Sequence, residues 1–237
     1  MDYLIEHVEG FRYESCSQGG SMKDLITATR ASVINCDDSA NYLSLRMTFY
    51  DSSYCFHPAQ LQLPCNPDTF CTGCAAHHYP RYDPAQDEAV KRMGMRSVML
   101  GAMHLGSWCG PQNYGLLPLY TESYNLYCEK IRPLVRNGSL YHVLPRPDGI
   151  HWDGVQYADP NAETGLFGAC FLFKQSEAAG DSVTVRLRGL HPDAVYRVEC
   201  EDRTMPAFEA KGAVLMETGV TVTLKGVGSE ILWISRP

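Results

Sequence analysis

Two short stretches bring reactive side chains together. Glu14-Ser15-Cys16-Ser17-Gln18-Gly19-Gly20 joins a carboxylate and a thiol to a glycine pair, and Cys36-Asp37-Asp38-Ser39 sets two carboxylates in tandem. A carboxyl group at the end of a strand can protonate a leaving group or activate water. Glycines such as Gly19 and Gly20 let backbone approach a ligand closely, and Cys16 can pack against it. Adjacent residues at a strand end point to opposite sides, so one of Asp37 and Asp38 can enter a pocket while the other caps the next helix. Spacing alone fits two blander readings equally well: a strand-to-helix turn that needs glycine, and a pair of capping carboxylates. A third cluster, Cys65, Cys71, Cys74, His77 and His78, supplies enough soft ligands for tetrahedral zinc. Its spacing follows no strong zinc template and also describes an inserted loop with incidental cysteines.

The elements that must position these residues alternate along the first half of the chain. Residues 2–8 read as the tail of a helix stopped at Gly10, with "FRYES" entering a short strand. Asp24 can cap a helix running to Arg30, and "SVINC" resembles a buried strand ending at Asp37-Asp38. "NYLSLRMTFY" has helical spacing, "YCFHPAQLQL" reads as a strand, and "DPAQDEAVKRM" opens a helix with Asp83 as cap and Pro84 at its first position. "SVMLGAMHLG" is a further buried run. The next helix places Tyr120, Tyr124, Tyr127, Ile131 and Leu134 on one face and stops at Asn137-Gly138. Both chemical stretches therefore follow strands and precede helices, where β/α folds carry their reacting groups.

Beyond Gly138 the period changes to two. Val183, Val185 and Leu187 alternate with polar residues, as do Val220, Val222 and Leu224, which predicts an antiparallel β domain of sandwich type. The spacing thus gives two domains, 1–138 and 139–237. Four β/α units are half the number that closes a (β/α)8 barrel.

Composition narrows the function classes. A net charge of −7 with no long Lys/Arg run argues against nucleic acid, and no apolar run reaches about 18 residues, so no membrane span is expected. The acidic start "MDYLIEHVEG" lacks the form of a signal peptide, which predicts a cytoplasmic protein, and most of its ten cysteines are expected to be free thiols.

The stretch from Glu14 to Asp24, followed by Asp38, resembles the active-site segment of melibiase-type α-galactosidases, glycoside hydrolase family 36. "HLGSW", "YNLYCEKIRPLVRNGSLYHVLP", "WDGVQYADPNAETGLF" and "VTVRLRGLHPDAVYRVE" extend the resemblance over nearly the whole chain. It implies the C-terminal half of a (β/α)8 TIM barrel followed by an antiparallel β-sandwich domain. It also implies retaining hydrolysis of terminal α-linked galactose with two carboxylates and no cofactor. Aligned without gaps from Cys16, the acid/base falls on Asp38, with Asp37 as the fallback, and Cys16, Gly19 and Gly20 line the galactose subsite. The family's nucleophile lies in a Lys-x-Asp motif on an earlier strand, and none precedes Glu14 here. Turnover then needs a second chain supplying the other half barrel, or self-association; the alternatives are an inactive carbohydrate-binding remnant and an α-N-acetylgalactosaminidase of the same clan. Ser21-Met22 and Asn35-Cys36 depart from the family pattern. Trp152, Tyr157 and Trp233 could stack on a sugar, or they could be sandwich core.

Overall fold

The structure is a computed structural model that describes residues 1–16, 20–21, 23–38, 41–65, 87–105 and 117–236. Its first half holds a parallel sheet of β1 (Glu14–Ser15), β2 (Val33–Asn35), β3 (Leu61–Cys65) and β4 (Ala102–Leu105), hydrogen-bonded in chain order. Glu14 lies opposite Val33, Ile34 opposite Leu61, and Gln62 opposite Ala102. Helices α1 (Asp2–His7), α2 (Leu25–Ala28), α3 (Tyr42–Ser52) and α4 (Glu88–Val98) precede the successive strands.

Local chemistry explains where these elements begin. The Asp24 side chain accepts from the Thr27 N–H and hydroxyl, and these bonds hold its carboxyl below the usual carboxylate range as the cap of α2. Asn41 caps α3 through the Leu43 and Ser44 amides, and Asp87 caps α4. The expected cap at Asp83-Pro84 lies outside the described residues. Gly94 lets α4 approach α3, because a Cβ there would stand 2.3 Å from the Tyr42 ring.

Two expectations need correction. In "YCFHPAQLQL" only Leu61 onward is strand, because Pro58 opens a 3-10 turn, Pro58–Gln60, with the His57 side chain accepting from the Ala59 amide. In "SVMLGAMHLG" Ser97 and Val98 still belong to α4, so the strand begins at Ala102. The helix before Gly138 also differs from its expected face. It runs as α5 (Leu117–Leu126), a π turn (Tyr127–Ile131) and α6 (Arg132–Asn137). Tyr120, Tyr127, Ile131 and Leu134 are buried, but Tyr124 is 40% exposed and Ser123 is buried instead.

At Gly138 the topology becomes antiparallel. A six-stranded sheet has the order β10 (Phe208–Lys211), β9 (Val195–Cys200), β12 (Gly228–Arg236), β7 (Gly165–Lys174), β6 (Trp152–Ala158), β5 (Ser139–His142). A two-stranded ribbon, β8 (Ser182–Val185) with β11 (Val220–Thr223), packs over one face, with Val185, Val220 and Val222 meeting Cys170, Leu172, Leu232 and Ile234; α7 (Gly212–Glu217) adds Leu215. The helices cover the opposite face, where Val155, Tyr157, Phe171, Phe173, Ile231 and Trp233 share a core with Leu45, Phe49, Met93 and Ile131. Burial on both faces explains why "GACFLF" in β7 is continuously apolar. It also settles the aromatic question, because Trp152, Tyr157 and Trp233 are all core.

Buried polar links fasten the helices to this sheet. Arg46 on α3 donates Nε and Nη2 to the Asp153 carboxylate at 2.9 and 3.1 Å, with Ser97 and Gln175 taking further guanidinium protons. Arg96 on α4 donates to Asp202 and to the Ser229 carbonyl oxygen, and the Tyr157 hydroxyl donates to the Leu100 carbonyl. Among the described residues no helix is long and apolar enough to cross a membrane.

Candidate functional site

The chemical stretches meet at the C-terminal ends of β1 and β2. Cys16 follows β1 and is exposed; Asn35, the last residue of β2, is 6% exposed. The Asn35 Nδ2 donates to Asp38 Oδ1 at 2.5 Å and to Cys16 Sγ at 3.4 Å, while its Oδ1 accepts from the Asp37 amide at 3.2 Å. One side chain thus draws the thiol of the first stretch and a carboxylate of the second to a common point.

Asp37 faces elsewhere. Its Oδ2 accepts from the Ser44 hydroxyl in the first turn of α3, which ties the loop after β2 to that helix. The tandem carboxylates therefore divide, one toward Cys16 and one toward α3. Main-chain capping of α3 falls to Asn41 and not to either aspartate.

The glycine pair is half visible. Gly20 has φ +82°, is buried, and gives its amide to the Cys16 carbonyl at 2.7 Å. A Cβ there would stand 2.0 Å from the Asn35 carbonyl oxygen and 2.7 Å from Lys23 Cε, so conformation and space both demand glycine. Gly19 lies outside the described residues.

Lys23 supplies the local cation. Its ammonium donates to the Cys36 carbonyl at 2.6 Å. Burial pushes the Cys36 thiol up to about 12, with Lys23 opposing and Asp37 reinforcing the shift, so this thiol stays protonated and does no nucleophilic work. Gln62 on β3 reaches back to Glu14, closing the row across β2.

The cysteine/histidine cluster is placed only at its first member. Cys65 is fully buried, its sulfur 3.6 Å from Met95 Sδ and 3.4 Å from the Tyr120 hydroxyl. Cys71, Cys74, His77 and His78 lie outside the described residues. Among the described residues no three His, Cys, Asp or Glu side chains group to hold a metal ion.

Sequence reasoning singled out Asp37, Asp38, Cys16 and Gly20 but gave Asn35 and Lys23 no role. An Asn closing an apolar strand just before two aspartates was the available signal, because a short amide at that point can reach its own neighbours.

Residues 152–234 match the glycosyl hydrolase family 36 C-terminal domain. Over 110 residues the chain is 34% identical to alpha-galactosidase C of Emericella nidulans and 29% identical to a probable alpha-galactosidase C of Aspergillus terreus, covering 46% of this chain and 13% of each relative. Its fold follows the GH36 alpha-galactosidase AgaB of Geobacillus stearothermophilus with a TM-score of 0.74 at 17% identity, over 99% of this chain and 30% of that one. A variant of AgaA from the same organism, solved with raffinose, gives 0.74 at 16% identity over 100% of this chain and 30% of that one. At these identities the structural likeness is one of fold. The chain spans well under half the length of every one of these relatives.

Proposed function

We propose that this chain, whose residues 152–234 match the glycosyl hydrolase family 36 C-terminal domain, belongs to that family and is the C-terminal part of a retaining α-galactosidase. Its residues 1–138 are half of a (β/α)8 barrel, and residues 139–237 are the β domain that follows. Asp38 is the acid/base, and Cys16, Gly19 and Gly20 lie at the galactose subsite. The nucleophile is carried on strands outside these 237 residues.

The observation that carries this reading is the Asn35 amide, which holds Asp38 and Cys16 together where parallel strands end. In β/α barrels that end is where the reacting groups sit. Asp38 is favoured over Asp37 because Asp37 is engaged by Ser44 on the helix side. Four parallel strands in chain order support the half barrel, and the solved relatives supply more than twice this length of additional chain. In such a site Asp38 would protonate the glycosidic oxygen and then take a proton from water, with the nucleophile forming the covalent galactosyl intermediate on the opposite face.

The partner reading has its own support. Tyr3, Leu25 and Ile26 are 69 to 70% exposed on α1 and α2, beside the two-residue edge strand β1. An apolar edge of this kind is suited to the missing half barrel or to another copy.

Hydrolysis of an aryl α-galactoside tests the assignment. The 237-residue chain alone is expected to show no turnover. Joined to the upstream portion of a family 36 α-galactosidase it should turn over, and Asp38→Asn should then lower kcat by about 10²- to 10⁴-fold with the fold retained. Turnover by the isolated chain that disappears in Asp38→Asn would place the nucleophile within it. Turnover indifferent to Asp38→Asn removes Asp38 as acid/base.

A further inference from the structure

We infer that Asn35 is the positioning residue of the candidate acid: its single amide couples Asp38 to Cys16 and fixes how the Asp38 carboxyl is turned. The catalytic meaning of this coupling rests on the α-galactosidase reading above; the coupling itself does not.

The donors around the Asn35 side chain fix which end of the amide is which. The Asp37 main-chain N–H, a donor only, points at one end of the Asn35 amide at 3.2 Å, so that end is the oxygen. The nitrogen therefore faces Asp38 Oδ1 and Cys16 Sγ. An amide nitrogen has two protons, one for each of these partners. The reversed amide would set oxygen lone pairs against a carboxylate and leave a main-chain donor facing a donor, so the three contacts admit one orientation.

This orientation constrains the acid. An N–H directed at Oδ1 fixes the rotation of the Asp38 carboxyl about its own bond. The support beneath it is stiff: Asn35 pairs with Gln62 in the sheet, and Gly20 lies over its carbonyl so closely that no side chain fits there. A positioning group held by a buried strand is what an acid of fixed geometry needs.

The coupling predicts that the thiol senses the carboxylate. The Asp38 carboxylate, held beside Cys16 by the shared amide, sets negative charge next to the sulfur and slows its attack as a nucleophile. Asp38→Asn should therefore speed alkylation of Cys16, and only while Asn35 is present.

The test is read on the 237-residue chain and needs no turnover. Cys16 is exposed, and peptide-resolved mass spectrometry after iodoacetamide separates its rate from that of the other cysteines. Asp38→Asn is expected to raise the Cys16 rate by about threefold or more in the native background, and by less than about 1.5-fold in Asn35→Ala. No effect in the native background, or an equal effect in both, overturns the proposal. If Asn35→Ala fails to fold, the side-chain amide protons of Asn35 in NMR spectra decide. Both should move in Asp38→Asn and in Cys16→Ser, and an unmoved pair overturns the proposal. If the coupling holds while Asp38→Asn leaves the turnover of the joined enzyme intact, the catalytic reading fails and the bridge stands.

Discussion

The six-stranded antiparallel sheet and the four-stranded parallel sheet are made from one chain yet stand at opposite ends of self-sufficiency. The antiparallel sheet is buried on both faces, by the helices on one side and the ribbon on the other, and its ten-residue β7 and nine-residue β12 lie at its centre. The parallel sheet ends in β1, two residues long; beside it α1 buries nothing and α2 buries only Ala28. Burial of apolar surface is the dominant favourable contribution to folding, so stability should fall steeply from β12 and β7 toward β1. The candidate acid sits at the weak end, beside a strand that needs a neighbour. A parallel half built this way is the more open of the two, whereas the antiparallel sheet is anchored on both faces.

The sharpest way to break this contrast is at the joint. Arg46 and Asp153 are 1% and 2% exposed and face each other bidentately between α3 and β6. Asp153→Ala would leave a guanidinium buried without its counter-ion, a change that costs about 3–5 kcal/mol. Urea denaturation should show both halves weakened together, because the pair lies in the core they share. A loss below about 1 kcal/mol, or loss of the parallel half alone, would mean that the helices are not fastened to the sheet as described.

How much of this was legible depended on what each element faces. β8 and β11 were readable because one face is exposed, so Val183 and Val185, or Val220 and Val222, alternate with polar residues. The caps at Asp24 and Asn137-Gly138 were readable because their chemistry is local. "SVMLGAMHLG" was not, because Ser97 to Gly101 are buried without a break and so carry no period by which to tell helix from strand. Arg46 resembled any arginine on an amphipathic helix, and its partner lies 107 residues later. In the site, Asp38 and Cys16 could be named from their neighbours in sequence. The part played by Asn35 could not, since it arises where the segments after two strands meet and from which way one amide points.

The weak end gives the next prediction. Leu25 and Ile26 are 69% and 70% exposed on α2, and Asp2 of α1 pairs with Arg30, just beyond the end of α2. The native chain is expected to self-associate through this edge. Leu25→Glu with Ile26→Glu should shift it toward monomer in light scattering while changing folding stability by no more than about 0.5 kcal/mol, because neither side chain is in the core. A monodisperse native monomer would show that the edge is closed some other way and would soften the comparison with the sheet.

The smallest effect should arise where the two regions meet at the surface. His142, at the end of β5, stacks on Tyr54 with ring centroids 4.2 Å apart, and its Nε2 lies 2.9 Å from the Ser53 hydroxyl on the α3 side. Burial lowers its readiness to take a proton, with the Tyr50 backbone opposing. The unfolded chain therefore binds this proton more readily than the folded one. The associated stability is fully present above about pH 6.5, the ordinary histidine value, and is lost as pH falls below it. The ring is partly solvated, so the change in Tm should not exceed about 2 °C. Carboxylates also lose stability in acid, and subtracting a His142→Gln variant removes their share. If the wild type and His142→Gln fall in parallel between pH 7 and 5, the His142 contact does not fasten α3 to β5, and the burden of joining the two halves returns to Arg46 and Arg96 in the core.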